Sequence, residues 1–77
     1  MTVFQPKRKG TKLGHRLKCL AEQEEHATIQ QNLLRAAGDL DRTCVTLGVR
    51  GVRIKTLRAY QVALYWFQKA TGDVYDG

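Results

Sequence analysis

The feature that most constrains the fold of this chain is Gly48, which lies between Leu47 and Val49 with helical apolar spacing on both sides. Glycine adopts the left-handed conformation that ends a helix at little steric cost. The two flanking apolar side chains are expected to anchor the turn in a core. The sequence therefore predicts two helices joined by a tight turn at Gly48.

A first helix is predicted near the N-terminus. Leu13, Leu17 and Leu20 recur at helical spacing, which predicts a helix over about residues 13–26. Gly14 is expected to weaken its first turn, because glycine is a poor helix former.

The middle of the chain is expected to hold two shorter helices. Thr28 and Gln31 form a capping-box pattern, which predicts a helix over about residues 29–37 that ends at Gly38. The alternative is one longer helix running from the first through Thr28, since no strong helix breaker precedes it. After Gly38, a short helix with an aspartate cap is expected to reach Leu47. Its cap is Asp39 or Asp41, and Thr43, Cys44 and Leu47 are expected to face the core.

The last predicted helix starts near Gly51 or Val52 and runs to about Ala70, with Gly72 beyond its end. It is apolar on two sides, so it must be buried on two sides. The helix at 13–26 or a second copy of the chain is left to cover the second side, and we expect a homodimer. One side consists of Ile54, Leu57, Leu64 and Tyr65, and the predicted dimer side consists of Ala59, Ala63, Trp66 and Phe67.

These elements predict an all-α fold, a small helical domain with a helix-turn-helix and a long C-terminal helix. Val52 and Ile54 are β-branched, but Gly51 and the neighbouring arginines argue against a strand. Residues 1–12 are expected to form a flexible basic arm, and residues 13–77 a single helical domain.

Positive charge is concentrated in two blocks of the chain, whose net charge is +6. Residues 1–18 carry six cations and no acid, and residues 50–69 carry five cations and no acid. Between them, residues 19–49 have a net charge of −3, and the two aspartates near the C-terminus add −2. Two basic blocks around an acidic middle are typical of an arm and a reading element on nucleic acid. Charge that serves only solubility is the alternative.

Several classes of protein are excluded by what the sequence lacks. Two cysteines, Cys19 and Cys44, are too few for a disulfide-stapled secreted scaffold, and the N-terminus has no apolar signal-peptide core. No apolar run approaches the length of about 20 residues that spans a bilayer. We therefore expect a cytoplasmic protein that does not contact a membrane.

Neither catalysis nor a metal is expected. The chain has no serine, and its two histidines lie on a charged segment, so no catalytic set is predicted. His15, Cys19, Glu22 and His26 share one helix face, but the two histidines are about 16 Å apart along it. Only a pair such as His15 with Cys19 reaches one ion, so no metal or other cofactor is expected.

The stretch "LLRAAGDLDRTCVTLGVRGVRIKTLRAY" resembles the C-terminal helix-turn-helix of the Fis family, the type also found at the end of NtrC-like activators. The resemblance covers about residues 29–60. Leu34, Ala37 and Gly38 match the first helix and its stop, and Arg42 matches the arginine of the second helix. Leu47, Gly48 and Val49 match the turn, and Ile54 takes the place of the leucine that opens the third helix.

The resemblance implies contacts with the major groove and with phosphates from Arg50, Arg53, Lys55 and Thr56. Three departures from the family pattern fall among the residues that would contact the bases. Gly51 stands where the family often has a basic residue, Arg53 where it usually has threonine, and Ile54 and Leu57 are one residue closer than the usual pair of leucines.

The sequence therefore predicts a protein that binds double-stranded DNA, as a transcriptional regulator or DNA-architecture factor. The alternatives are an RNA-binding protein, or a small interaction module, such as an inhibitor or adaptor from a mobile element, that docks on an acidic protein. The predicted nucleic-acid contacts are Arg42, Arg50, Arg53, Lys55, Thr56 and Arg58, with Lys7, Arg8, Lys9, Lys12 and Arg16 from the basic block at the N-terminus.

Overall fold

A computed structural model of the chain describes residues 11–48 and 51–75. Within these ranges it is all-α, as predicted, and no residue forms a strand. The elements in chain order are α1 (Lys12–Gln23), α2 (Ala27–Leu47), a 3-10 helix (Gly51–Thr56) and α3 (Arg58–Thr71). None of the described helices is long and apolar enough to cross a membrane.

Helix α1 begins at a threonine cap and ends earlier than predicted. The side-chain oxygen of Thr11 accepts a hydrogen bond from the Gly14 N–H at 2.8 Å. At the other end the chain becomes extended at Glu24, so the predicted end at residue 26 is three residues too late. After Ala21, the positions that would continue the buried face are occupied by glutamates, whose burial is unfavourable.

Helix α2 is one continuous helix of 21 residues, and the predicted break at Gly38 is wrong. Leu33, Ala37, Leu40 and Cys44 are all buried, so the apolar face continues across the glycine. Burial of these side chains outweighs the cost of about 1 kcal/mol for glycine in a helix. The predicted cap is also wrong, because the N-cap is His26 rather than Thr28, and it makes no side-chain cap bond. The longer helix through Thr28 is not formed either, since the chain is extended between α1 and α2.

Helices α1 and α2 form an antiparallel pair. At one end the backbone N–H of Thr11 donates to Asp41 Oδ1 at 2.9 Å. At the other end the side-chain amide of Gln30 donates to the Ala21 carbonyl at 2.7 Å. The start of α1 therefore lies beside the second half of α2, at the end of the molecule where α2 stops.

The predicted C-terminal helix is divided into two elements. Gly51–Thr56 is a 3-10 helix, Leu57 is extended, and α3 begins at Arg58 rather than near Gly51. Ile54 and Leu57 are three residues apart, and both pack against the core. The Leu57 N–H donates to the Ile54 carbonyl at 3.1 Å, so one turn of three residues separates the two side chains and places them on the same face.

Helix α3 packs against both α1 and α2. Its buried residues are Tyr60, Ala63 and Phe67, and Tyr75 folds back so that its ring centroid lies 5.1 Å from that of Phe67. The helix ends at Gly72 (φ 80°), as predicted, and α2 ends at Gly48 (φ 67°), as predicted. All three α-helices contribute to one buried cluster: Leu13, Leu17, Ala21, Leu33, Ala36, Ala37, Leu40, Cys44, Tyr60, Ala63 and Phe67.

One predicted core residue lies at the surface. Leu47 is 59% exposed, so it does not anchor the turn, and Val49 lies outside the described residues. Leu47 follows Leu40 by seven residues and points the same way. However, α1 begins opposite Asp41, more than one turn before the end of α2. The last turn of α2 therefore extends beyond the helix that covers Leu40.

Candidate nucleic-acid interface

The segment after Gly48 presents basic side chains to solvent. Arg53, Lys55 and Arg58 are all exposed, and Thr56 is exposed between them. The Thr56 hydroxyl donates to the Arg53 carbonyl at 2.8 Å, within the 3-10 turn. Four of the predicted nucleic-acid contacts thus lie within six residues, three on the 3-10 helix and Arg58 at the start of α3.

The backbone of this segment is held from inside the molecule. Ile54 and Leu57 pack against the core, and the Gln61 side-chain amide donates to the Lys55 carbonyl at 3.1 Å. This bond ties the 3-10 helix to the first turn of α3. The cationic side chains therefore project from a backbone that is already in place.

No carboxylate neutralises these cations within the described residues. The chain has no acid between Asp41 and Asp73. Among the described residues, Arg53, Lys55 and Arg58 form no salt bridge. The two acids that precede this segment in the chain are already engaged: Lys18 contacts Asp41 at 3.2 Å, and Arg42 pairs with Asp39.

The antiparallel pairing of α1 and α2 adds another cation to this end of the molecule. Lys12 is exposed in the first turn of α1, next to Thr11, which binds Asp41. Asp41 is seven residues, or about 10 Å, before Gly48 along α2. We call the exposed cations near this end that pair with no acid of the described chain the basic end: Lys12, Arg53, Lys55 and Arg58.

Two further predicted contacts are engaged within the protein. The Arg42 guanidinium donates to the Asp39 carboxylate one turn earlier on α2. The Arg16 guanidinium carbon lies 5.5 Å from the centroid of the Phe67 ring, a cation–π arrangement. Both side chains are exposed, but a phosphate would have to compete with these partners. The remaining predicted contacts, Lys7, Arg8, Lys9 and Arg50, lie outside the described residues.

The four residues predicted for a dimer interface have two different environments. Ala63 and Phe67 are 0% and 5% exposed, within the core of a single chain, so they offer no surface to a second copy. Ala59 and Trp66 are half-buried. The sequence pattern placed all four on one side of a helix, and the structure shows that α1 and α2 cover two of them. The homodimer itself stays a prediction.

A junction that the sequence analysis missed holds the start of α1. Asp41 Oδ1 accepts from the Thr11 N–H and, at 3.2 Å, from the Thr11 hydroxyl, and Asp41 Oδ2 contacts Lys18. A Cβ atom added at Gly14 would lie 2.5 Å from Asp41 Oδ1. Glycine is therefore required here by close approach. Thr11, three residues before Gly14, is the cap signal that could have located this helix start.

Three side chains that could carry chemistry, Cys19, Cys44 and Tyr60, are not part of the basic end. Cys19 Sγ lies 3.6 Å from His15 Nε2, and no group of three His, Cys, Asp or Glu side chains that could hold an ion exists among the described residues. Burial, together with the charge of Asp41, raises the pKa of the Cys44 thiol. Burial, with a smaller effect of Tyr75, raises the pKa of Tyr60. Both shifts favour the neutral form, as expected of side chains that serve packing.

No protein-family model, no curated protein and no solved structure matches the chain. The resemblance to the Fis family therefore stays a prediction.

Proposed function

We propose that this protein binds double-stranded DNA through the basic end, as a transcriptional regulator or DNA-architecture factor. The observation that carries the proposal is the group of exposed cations on residues 53–58, which no acid of the described chain pairs. Proteins bind DNA largely by placing lysine and arginine against phosphates and releasing the condensed counterions. An unpaired cation is available for this exchange without first losing an internal partner.

The exposure of the segment supports contact with a groove. Its cationic side chains lie at the surface, and the major groove of B-DNA is wide enough to admit a helix. Arg53 lies on the outer side of this segment, because Ile54 and Leu57 occupy the inner side. An arginine in this position can contact a guanine edge with two hydrogen bonds or bind a phosphate.

The N-terminal basic block, residues 1–18, contacts the same DNA in this proposal. Lys12 is at the root of the arm, and the bond between Thr11 and Asp41 fixes that root beside α2. An arm that leaves from this point starts about 10 Å from the end of α2. The arm then contacts phosphates or enters a minor groove, while residues 53–58 contact the neighbouring major groove.

The proposal is tested by selection from a random duplex DNA library at two salt concentrations, followed by sequencing of the bound fraction. We expect a sequence motif to be enriched, and a palindrome with half-sites about one helical turn apart if two copies bind together. The matched variant is Arg53→Gln, whose affinity for the enriched motif should fall more than its affinity for duplex DNA of other sequences. Weak binding without sequence preference that disappears as salt rises would contradict the proposal. Stronger selection from an RNA library would point to RNA instead.

A further inference from the structure

The outer face of α3 carries a stripe of exposed side chains that the basic end does not account for. Arg58, Val62, Tyr65 and Lys69 follow one another at intervals of four, three and four residues, so they share one side of the helix. All four are exposed, and Tyr65 and Val62 are 54% and 42% exposed. We call these four residues the outer stripe.

The ring of Tyr65 is held in place at the centre of this face. Trp66, which is half-buried against the core, packs edge-on against it with a centroid separation of 5.1 Å. Lys69 Nζ lies 5.8 Å from the centroid of the same ring. Tyr65 therefore presents an exposed aromatic ring that contacts Trp66 and has a cation over it. Of the other aromatic residues of α3, Tyr60 and Phe67 are buried and cannot serve in this way, and Trp66 is half-buried.

Charge argues against a second copy of the chain on the outer stripe. If two α3 helices paired in antiparallel orientation about the stripe, Arg58 of one copy would face Lys69 of the other. In parallel orientation each cation would face its own equivalent. Like charges repel in both arrangements, and the described part of α3 has no acid to relieve the repulsion.

An anionic partner with flat apolar groups fits the outer stripe. Arg58 and Lys69 lie about 16 Å apart along the helix, with Tyr65 between them. Aromatic side chains next to cations are the usual elements by which proteins bind single-stranded nucleic acid, because every base has a face that can stack and every linkage carries a negative charge. Duplex DNA does not offer such a face, since its bases are stacked on one another.

We propose that the outer stripe of α3 binds an unpaired nucleic-acid strand, with a base stacked on Tyr65 and phosphates near Arg58 and Lys69. This surface shares only Arg58 with the basic end. The protein would then hold a duplex at the basic end and an adjacent unpaired strand along α3. Lys69 leaves the ring for a phosphate when the base stacks.

The test uses the full chain, with a labelled oligothymidylate single strand and a duplex of the same length as probes. Trp66 is the only tryptophan, so its fluorescence reports on the neighbourhood of Tyr65. We expect the single strand to change the Trp66 emission. We also expect Tyr65→Ala to bind the single strand about tenfold more weakly, with duplex affinity unchanged.

Matched variants separate stacking from loss of structure. Tyr65→Phe keeps the ring and should bind the single strand as the wild type does. Val45→Ala removes another exposed apolar side chain, on α2, and should leave binding unchanged. Circular dichroism confirms that each variant is folded.

The inference is overturned if Tyr65→Ala binds the single strand with wild-type affinity, or if the single strand leaves the Trp66 emission unchanged. A Trp66 response to polyglutamate but not to the single strand would also overturn it, and would assign the face to an acidic protein. The proposed function fails by a separate result, which is weak duplex binding without sequence preference, or duplex binding that Arg53→Gln leaves unchanged.

Discussion

Gly14 shows how a single residue can contradict helix propensity. Alanine is a better helix former than glycine by about 1 kcal/mol, so propensity predicts that Gly14→Ala stabilises α1. In the structure, the added Cβ would lie 2.5 Å from Asp41 Oδ1 and 2.9 Å from Thr11 Oγ1. Asp41 cannot move away without losing its hydrogen bonds to Thr11. We therefore predict that Gly14→Ala lowers the free energy of unfolding by about 1–3 kcal/mol, as measured by urea denaturation.

Gly38→Ala is the matched control, because Gly38 is also inside a helix. The nearest atom to a Cβ added there is Arg42 Nη1 at 3.8 Å, an ordinary contact. This variant should raise the free energy of unfolding by about 1 kcal/mol. Equal stabilisation by both substitutions would show that Gly14 does not approach Asp41 as described.

At the scale of elements, the exposure of Leu47 defines where the core ends. Leu47 is 59% exposed, whereas Leu40, two turns earlier on the same face, is fully buried. We predict that Leu47→Ser changes the free energy of unfolding by less than about 0.5 kcal/mol. Leu40→Ala should lower it by about 2–5 kcal/mol. Urea denaturation followed by circular dichroism gives both values. A large decrease in the free energy of unfolding for Leu47→Ser would show that Leu47 is buried in the core.

The sequence predicts that the helices exist more reliably than it predicts the residues at which they begin and end. The spacing of Leu13 and Leu17 predicted α1, and Gly48 and Gly72 correctly marked the ends of α2 and α3. The predicted stop at Gly38 is wrong, because the buried face on both sides of it outweighs the local cost of glycine. A local rule cannot weigh burial that depends on another helix.

The spacing of Ile54 and Leu57 is a sequence signal of the 3-10 helix. Ile54 and Leu57 are one residue closer than the usual leucine pair of the Fis family, a departure that fits a helix with three residues per turn. The 3-10 helix keeps both side chains against the core and leaves Arg53 and Lys55 outside. The basic character of the candidate interface was therefore predictable from the sequence, but its backbone was not.

At the scale of the whole molecule, the antiparallel pairing of α1 and α2 separates charge. Lys12 lies at the same end as residues 53–58, and the glutamates Glu22 and Glu24 lie at the opposite end of α1. Lys12 and Arg53 are 41 residues apart in the sequence, and the pairing of α1 with α2 brings Lys12 to the end where α2 stops. The distribution of charge along the sequence predicts two separate contacts with nucleic acid, but it does not predict that Lys12 and residues 53–58 lie at the same end of the molecule.

The measurement that tests the central claim most directly is the salt dependence of duplex DNA binding by two variants that each lose one arginine. Arg53→Gln removes a cation from the basic end, and Arg35→Gln removes an exposed cation about 20 Å before Gly48 along α2. The account predicts that Arg53→Gln weakens binding. If Arg53 contacts a phosphate, the slope of log K against log salt becomes shallower by about 0.9, the value of one phosphate contact. If Arg53 reads a base, binding to the selected motif weakens more than binding to other duplexes. Arg35→Gln should match the wild type in both respects. Equal effects of the two variants would show that binding depends on total charge, and would contradict a DNA interface at the basic end.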